Sequence, residues 1–108
     1  MREPDWVDDR GRNIRYRYFF DNGYGASVAT GYSTYGGDEG LWELAVIISN
    51  TPEWKSPRSA NESFQIVYDT PITNDVLGYL TEGDVDDLLN QIESLPKREY
   101  IDPWLRNV

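Results

Sequence analysis

Residues 41–48, Leu41-Trp42-Glu43-Leu44-Ala45-Val46-Ile47-Ile48, form the most apolar stretch of this 108-residue chain and decide its fold. Every even position is apolar, and Ala45 and Ile47 make the other face apolar over the second half of the stretch. An apolar period of two is typical of a β-strand, and apolar residues on the second face indicate that this face is covered as well. The stretch therefore predicts a central strand of a sheet.

Two further strands are predicted before this central strand. The even positions of residues 14–20 are apolar or aromatic: Ile14, Tyr16, Tyr18 and Phe20. They alternate with the polar residues Asn13, Arg15 and Arg17, and residues 26–32 resume an extended pattern. The segment between them, Asp21-Asn22-Gly23-Tyr24-Gly25, is typical of a hairpin. We expect a loop of three or five residues with a glycine in the left-handed region. Placing Phe20 opposite Ala26 keeps the apolar side chains on one face.

The last third of the chain changes its period. A helical turn is predicted around residues 74–77, and Thr81 with Asp84 then forms a variant of the capping-box pattern. An apolar stripe at helical spacing follows, made of Val85, Leu88, Leu89, Ile92 and Leu95. Pro96 ends the predicted helix.

These elements predict an α+β domain. The expected architecture is a four-stranded antiparallel sheet with one C-terminal helix packed on its apolar face. The strands are expected at about 14–20, 26–32, 41–48 and 63–69, and the helix at about 82–95. Residues 1–12 are interpreted as an N-terminal arm, 13–95 as a single domain and 96–108 as a tail, with a long loop at 49–62.

Composition excludes several kinds of chemistry. The chain has 10 basic and 19 acidic residues, a net charge of −9, and neither cysteine nor histidine. Disulfides, thiol nucleophiles, cysteine zinc sites and imidazole bases are therefore absent. We expect no enzyme activity, no cofactor and no metal. Because no signal peptide or membrane span is evident, a cytoplasmic protein is expected. The acidic balance argues against binding to DNA, RNA or an anionic membrane, since binding phosphates needs lysine and arginine.

The charge is unevenly distributed. Residues 1–18 carry five bases and four acids, whereas residues 19–108 carry five bases and fifteen acids. Four acids of the predicted helix lie off its apolar stripe: Asp84, Asp86, Asp87 and Glu93. Such a row can imitate DNA phosphates and occupy the basic groove of a partner protein. The alternative is an ordinary solvated face, favoured at a helix start by the macrodipole.

Three other residues are candidate partner-binding positions. Arg15 and Arg17 are expected to project from the outer face of the first predicted strand, flanked by aromatic residues. They either bind a single-stranded nucleic acid or pair with the surplus acids and discourage edge-to-edge pairing. Trp54, in the 49–62 loop, is either an anchor that holds the loop on the domain or an exposed hot spot, and the same alternatives apply to Trp6 and Trp104.

Three segments carry a resemblance to known proteins: DNGYGASV at 21–28, YGGDEGLWELAV at 35–46 and YDTPITNDVLGYLTE at 68–82. In this order and spacing they resemble a group of small bacteriophage- and prophage-encoded proteins with no established activity. The resemblance covers about residues 14–95 and implies an accessory protein that manipulates host machinery. The N-terminal arm, the 49–62 loop and the tail depart from the group.

The leading hypothesis is a non-enzymatic, phage-encoded acidic protein in the cytoplasm of the infected host. It would bind and inhibit a host protein that acts on nucleic acid, such as a defence nuclease, in the manner of an anti-CRISPR protein, or RNA polymerase, with DNA mimicry as one mode. The alternative is a structural or self-associating accessory protein, for example a homodimer. A small carboxylate-dependent hydrolase, with Glu43 as one carboxylate, is the third hypothesis.

Overall fold

The computed structural model describes residues 1–49, 64–66, 70–72 and 75–97. Within these ranges the fold is α+β, an antiparallel sheet with one C-terminal helix, as predicted. The strands are β1 (Trp6–Asp9), β2 (Asn13–Phe19), β3 (Tyr24–Gly31), β4 (Trp42–Ser49), β5 (Phe64–Ile66) and β6 (Leu77–Leu80), and the helix is α1 (Glu82–Glu93). A 3-10 helix, Gly37–Glu39, precedes β4.

Strand β4 is the centre of the sheet, as its sequence predicts. The strands follow the order β1-β2-β3-β4-β5, and β6 also pairs with β4. Strand β5 takes the C-terminal half of β4, with Ile47 opposite Ile66, and β6 takes the N-terminal half, with Trp42 opposite Leu80. The described part of the sheet thus has more strands than the four predicted.

The first added strand, β1, lies in the segment interpreted as an arm. Trp6 pairs with Arg17 and Asp9 with Ile14, so β1 is an edge strand antiparallel to β2. The ring of Trp6 packs against the buried pair Phe19 and Ile47 on the face of the sheet opposite α1. Trp6 is therefore an anchor, the first of its two alternatives.

The second added strand, β6, begins at Leu77, the last residue of the helical turn predicted around residues 74–77; residues 73 and 74 lie outside the described residues, and residues 75–77 form no helical turn. Leu77 lies opposite Leu44 and Leu80 opposite Trp42, so three steps along β6 match two along β4. This irregularity is a β-bulge, and Tyr79 within it has a φ of 57°. Leu77 is thus part of a strand and not of a helical turn, because β4 offers it a neighbouring strand that the local sequence does not contain.

The β2–β3 hairpin confirms one prediction and corrects another. The loop is Asp21-Asn22-Gly23, closed by a hydrogen bond from the Phe20 N–H to the Tyr24 carbonyl at 2.9 Å, and Gly23 has a φ of 85°. The three-residue loop and the left-handed glycine agree with the prediction. The predicted pairing of Phe20 with Ala26 is wrong, because Tyr18 faces Ala26. A shift of two residues preserves the side-chain faces.

Helix α1 packs its predicted stripe on the sheet. Val85, Leu89 and Ile92 are fully buried against a cluster from β2, β3 and β4, and Leu88 and Leu95 pack at its margin. The capping box is present: the Asp84 N–H donates to the Thr81 hydroxyl, and the Thr81 N–H donates to the Asp84 carboxylate. The helix ends at Glu93, two residues before the prediction. In the described ranges no helix is long and apolar enough to cross a membrane.

Candidate protein-binding surface

The four predicted acidic residues of α1 have different surroundings. Asp84 and Asp87 are exposed, although one carboxylate oxygen of Asp84 also caps the helix. Asp86 and Glu93 instead contact Arg2. All four residues thus lie on one helix. Two of them, Asp86 and Glu93, contact Arg2, and the other two, Asp84 and Asp87, are exposed and do not.

Arg2 is the residue that neutralises part of this face. Its backbone N–H donates to Asp86 at 2.9 Å, and its guanidinium pairs with Glu93 at 3.0 Å and donates to the Asn90 side chain. The guanidinium carbon lies 5.2 Å from the centre of the Phe20 ring, within cation–π range. The N-terminal segment therefore packs along the C-terminal half of α1, which the sequence did not predict.

The carbonyl of Arg2 also accepts a hydrogen bond from the buried Tyr18 hydroxyl at 2.8 Å. Burial raises the pKa of Tyr18 to about 12, and the nearby Asp86 carboxylate adds to the rise. The phenol is therefore protonated at neutral pH and holds the N-terminal segment as a donor.

The two predicted arginines separate into different environments. Arg15 is exposed and lines a polar depression of about 210 Å³ together with Asp8, Arg10, Asn13 and Ser33. Arg17 is only 5% exposed, and its guanidinium lies 5.2 Å from the centre of the Trp6 ring. Burial lowers the pKa of Arg17, and the neighbouring Arg15 lowers it further. Arg17 lies on the predicted outer face, but the expectation that it is open to a partner is wrong, because β1 places Trp6 beside it and Arg17 is buried.

The remaining candidate residues are two tryptophans and the carboxylate Glu43. Trp54, Trp104 and most of the 49–62 loop and the 96–108 tail lie outside the described residues. Glu43, the carboxylate of the hydrolase hypothesis, accepts a hydrogen bond from the backbone N–H of Tyr35 at 3.2 Å. The described ranges contain no group of three or more acidic side chains arranged to hold a metal ion.

Three exposed tyrosines form the feature that the sequence reading missed. Tyr32, Tyr35 and Tyr79 are 67%, 63% and 61% exposed, the highest values among the large hydrophobic residues of the described ranges. Tyr32 and Tyr35 lie in the β3–β4 connection and Tyr79 in β6. Tyr35 and Tyr79 are neighbours through a backbone hydrogen bond, and we call this pair the tyrosine corner, a name for this surface and not for the Greek-key motif. Large aromatic side chains left in solvent are typical of interaction surfaces.

The backbones of Tyr35 and Tyr79 are joined by a hydrogen bond. The Tyr79 N–H donates to the Tyr35 carbonyl at 3.2 Å. A Cβ atom at Gly78 would lie 2.5 Å from Tyr35 Cβ, and one at Gly36 would lie 2.9 Å from Tyr79 Cα. Each tyrosine thus packs directly against a glycine. A larger residue at Gly36 or Gly78 would push the neighbouring tyrosine away, so the two glycines allow the close approach of Tyr35 and Tyr79.

Acidic residues surround this corner. Asp38 and Glu39 are exposed in the 3-10 helix, Glu43 bonds the Tyr35 backbone, and Glu82 begins α1 three residues after Tyr79. Between residues 18 and 96, the described ranges contain ten acidic residues and neither lysine nor arginine. The fold and this surface define a small α+β protein with an acidic, aromatic face.

Comparison with known proteins adds no relative. No family model, no curated protein and no solved structure matches the chain. The resemblance to phage-encoded proteins therefore stays a prediction, and the function is inferred from the residues themselves.

Proposed function

We propose that this chain is a non-enzymatic, phage-encoded protein that binds a host protein acting on nucleic acid and inhibits it by covering its basic nucleic-acid-binding surface. One observation carries the proposal: the described residues from 18 to 96 include ten carboxylates and no basic side chain, and over all described residues the acids outnumber the bases 14 to 6. This excess of negative charge attracts a basic surface over a Debye length and raises the rate of encounter.

Charge density supports general complementarity more than a close copy of DNA. Helix α1 has 12 residues and is therefore about 18 Å long. Duplex DNA carries about 10 phosphates over that length. The helix carries five carboxylates, of which Glu93 is paired with Arg2. Its charge is thus less than half that of the duplex, and the acids near the tyrosine corner must contribute to any contact.

Self-association has weaker support. Strand β1 is one edge of the sheet, and Val7 on it is 51% exposed. The strand is only four residues long and carries two aspartates, Asp8 and Asp9. Short, charged edges discourage strand addition. Sedimentation velocity at several protein concentrations tests this alternative, since a homodimer gives a concentration-dependent sedimentation coefficient.

The proposal is tested by identifying the partner and then varying charge. Tagged protein is recovered from infected host lysate, and the affinity for the purified partner is measured at increasing salt. We expect Asp87→Lys to weaken binding, because Asp87 is exposed and makes no contribution to the helix cap. The matched control is Asp9→Asn on β1, whose side chain retains the bond from the Gly11 N–H.

Two outcomes would contradict the proposal. One is an affinity that is insensitive to salt and to Asp87→Lys. The other is a partner without a basic nucleic-acid-binding surface. Inhibition of the partner's activity on nucleic acid, relieved by the Asp87 variant and retained by the Asp9 variant, is the expected result.

A further inference from the structure

The tyrosine corner places two exposed tyrosines on neighbouring backbone segments. Tyr35 and Tyr79 are more than half exposed, and the hydrogen bond between their backbones keeps them adjacent. A tyrosine has few rotatable bonds, so a contact through its ring loses little conformational entropy. The pair is therefore ready to contact a partner without rearrangement of the fold.

Tyr79 occupies a backbone conformation that its side chain disfavours. Its φ of 57° lies in the left-handed region, and every other residue with positive φ in the described ranges is a glycine. Glycine is the usual residue at such a position in a bulge. Strain of this kind is retained mainly where the side chain has a use. Because the ring is 61% exposed, that use is not burial in the core.

The carboxylates near the two tyrosines favour a cation as the group that the rings contact. Glu43 is bonded to the Tyr35 backbone, while the exposed Asp38 and Glu39 follow Tyr35 in the chain. The face of a phenol ring attracts cations, and carboxylates beside it add charge-assisted hydrogen bonds. Arginine satisfies both, because its planar guanidinium stacks on a ring while its N–H groups reach a carboxylate.

We infer that the tyrosine corner binds arginine side chains of a basic protein partner, with Tyr35 and Tyr79 stacking on guanidinium groups and the surrounding carboxylates pairing with them. This inference rests on the proposed function, since it specifies which part of the acidic face makes contact. It adds a chemical preference, for arginine over lysine, that charge alone does not give.

The test measures this preference with two peptides of equal length and charge, an oligoarginine and an oligolysine. The affinity of the full chain for each is measured by titration calorimetry at low salt. An exposed cation–π contact gives about a two- to fivefold gain in affinity per ring. The double variant Tyr35→Leu/Tyr79→Leu keeps apolar side chains but removes both rings, and we expect it to lose the preference for arginine.

The matched control is Tyr35→Phe/Tyr79→Phe, which keeps the rings and is expected to retain the preference. Circular dichroism and urea unfolding of both double variants establish that they are folded, and the phenylalanine pair keeps the test valid if the leucine pair is unstable. The inference is supported if the preference for oligoarginine over oligolysine falls about fivefold in the leucine variant and is retained in the phenylalanine variant.

The two proposals fail differently. If the leucine variant keeps the wild-type arginine preference, or if the wild type shows none, while Asp87→Lys still weakens peptide binding, the tyrosine corner is not the arginine-binding surface and the acidic-binding proposal stands. If the wild type binds neither peptide at low salt, the proposed function is overturned, and the inference with it.

Discussion

Tyr79 offers a quantitative test of whether the protein maintains a strained residue for function. An L-residue in the left-handed conformation is destabilised by about 1–2 kcal/mol, whereas glycine adopts it freely. Replacing Tyr79 by alanine or by glycine removes the same ring, so the lost ring contacts cancel when the two variants are compared. Glycine also has about 0.5–1 kcal/mol more unfolded-chain entropy to lose. The glycine variant is therefore expected to be about 0–1.5 kcal/mol more stable than the alanine variant.

The measurement is the free energy of unfolding by urea, with Val7 as the matched control position. Val7 is half-exposed on β1 and has no positive φ. There alanine is expected to be more stable than glycine by about 0.5–1 kcal/mol. The sign of the alanine–glycine difference thus reverses between the two positions. If glycine is the less stable residue at both, the backbone at Tyr79 is not strained and this support for the tyrosine corner is lost.

Three further predictions concern the fold that positions this surface. Leu89→Ala leaves a cavity under α1, since Leu89 is fully buried. We expect this variant to lower the free energy of unfolding, measured in urea, by about 2–5 kcal/mol, and a loss below about 1 kcal/mol would contradict the packing. The side-chain amide of Asn22 donates to three carbonyls at the end of α1, so Asn22→Ala is expected to cost about 1–3 kcal/mol and to speed amide exchange in the last helical turn selectively; unchanged exchange there would refute this role. Because the pKa of Tyr18 is raised to about 12, its stabilisation is complete below about pH 10 and is lost as the pH rises to about 12. Tyr18→Phe is therefore expected to flatten the alkaline fall in the urea midpoint, and an identical fall in both proteins would argue against it.

Local periodicity was enough to predict the elements that bury the core. The alternation in β2 and β4 and the helical stripe of α1 placed Tyr18, Leu44 and Leu89 on the faces where the structure has them. The predicted faces of the hairpin strands were also correct although the register was wrong. An error of two residues leaves every side chain on the same face of the sheet. These features depend only on neighbours along the chain and on one apolar face.

Strands β1 and β6 could not be predicted in the same way. The first is four residues long and ends in two aspartates, so its alternation is too short to stand out. The second contains a bulge, which breaks the period of two between Leu77 and Leu80. Both exist because a neighbouring strand offers hydrogen bonds, and that is a tertiary contribution that no local pattern contains.

The candidate surface shows the same division. Residue type identified Asp84 and Asp87 as exposed acids, but the pairing of Arg2 with Glu93 and the burial of Arg17 depend on where β1 and the N-terminal segment pack. The tyrosines were missed because aromatic residues occupy cores and surfaces alike, so their exposure cannot be inferred from type. The available signal was the glycine-rich context of Tyr35, which leaves few positions for covering side chains.

The position of Arg2 also determines which end of the acidic face remains open. Its guanidinium pairs with Glu93 and its N–H with Asp86, so the neutralising contacts lie from the middle of α1 to its C-terminal end. At the N-terminal end, Glu82 follows Tyr79 by three residues and lies at the other end of α1 from the Arg2–Glu93 pair. We therefore expect a basic partner of the proposed kind to approach the molecule at the tyrosine corner, where the proposed contacts with the rings would distinguish arginine from lysine.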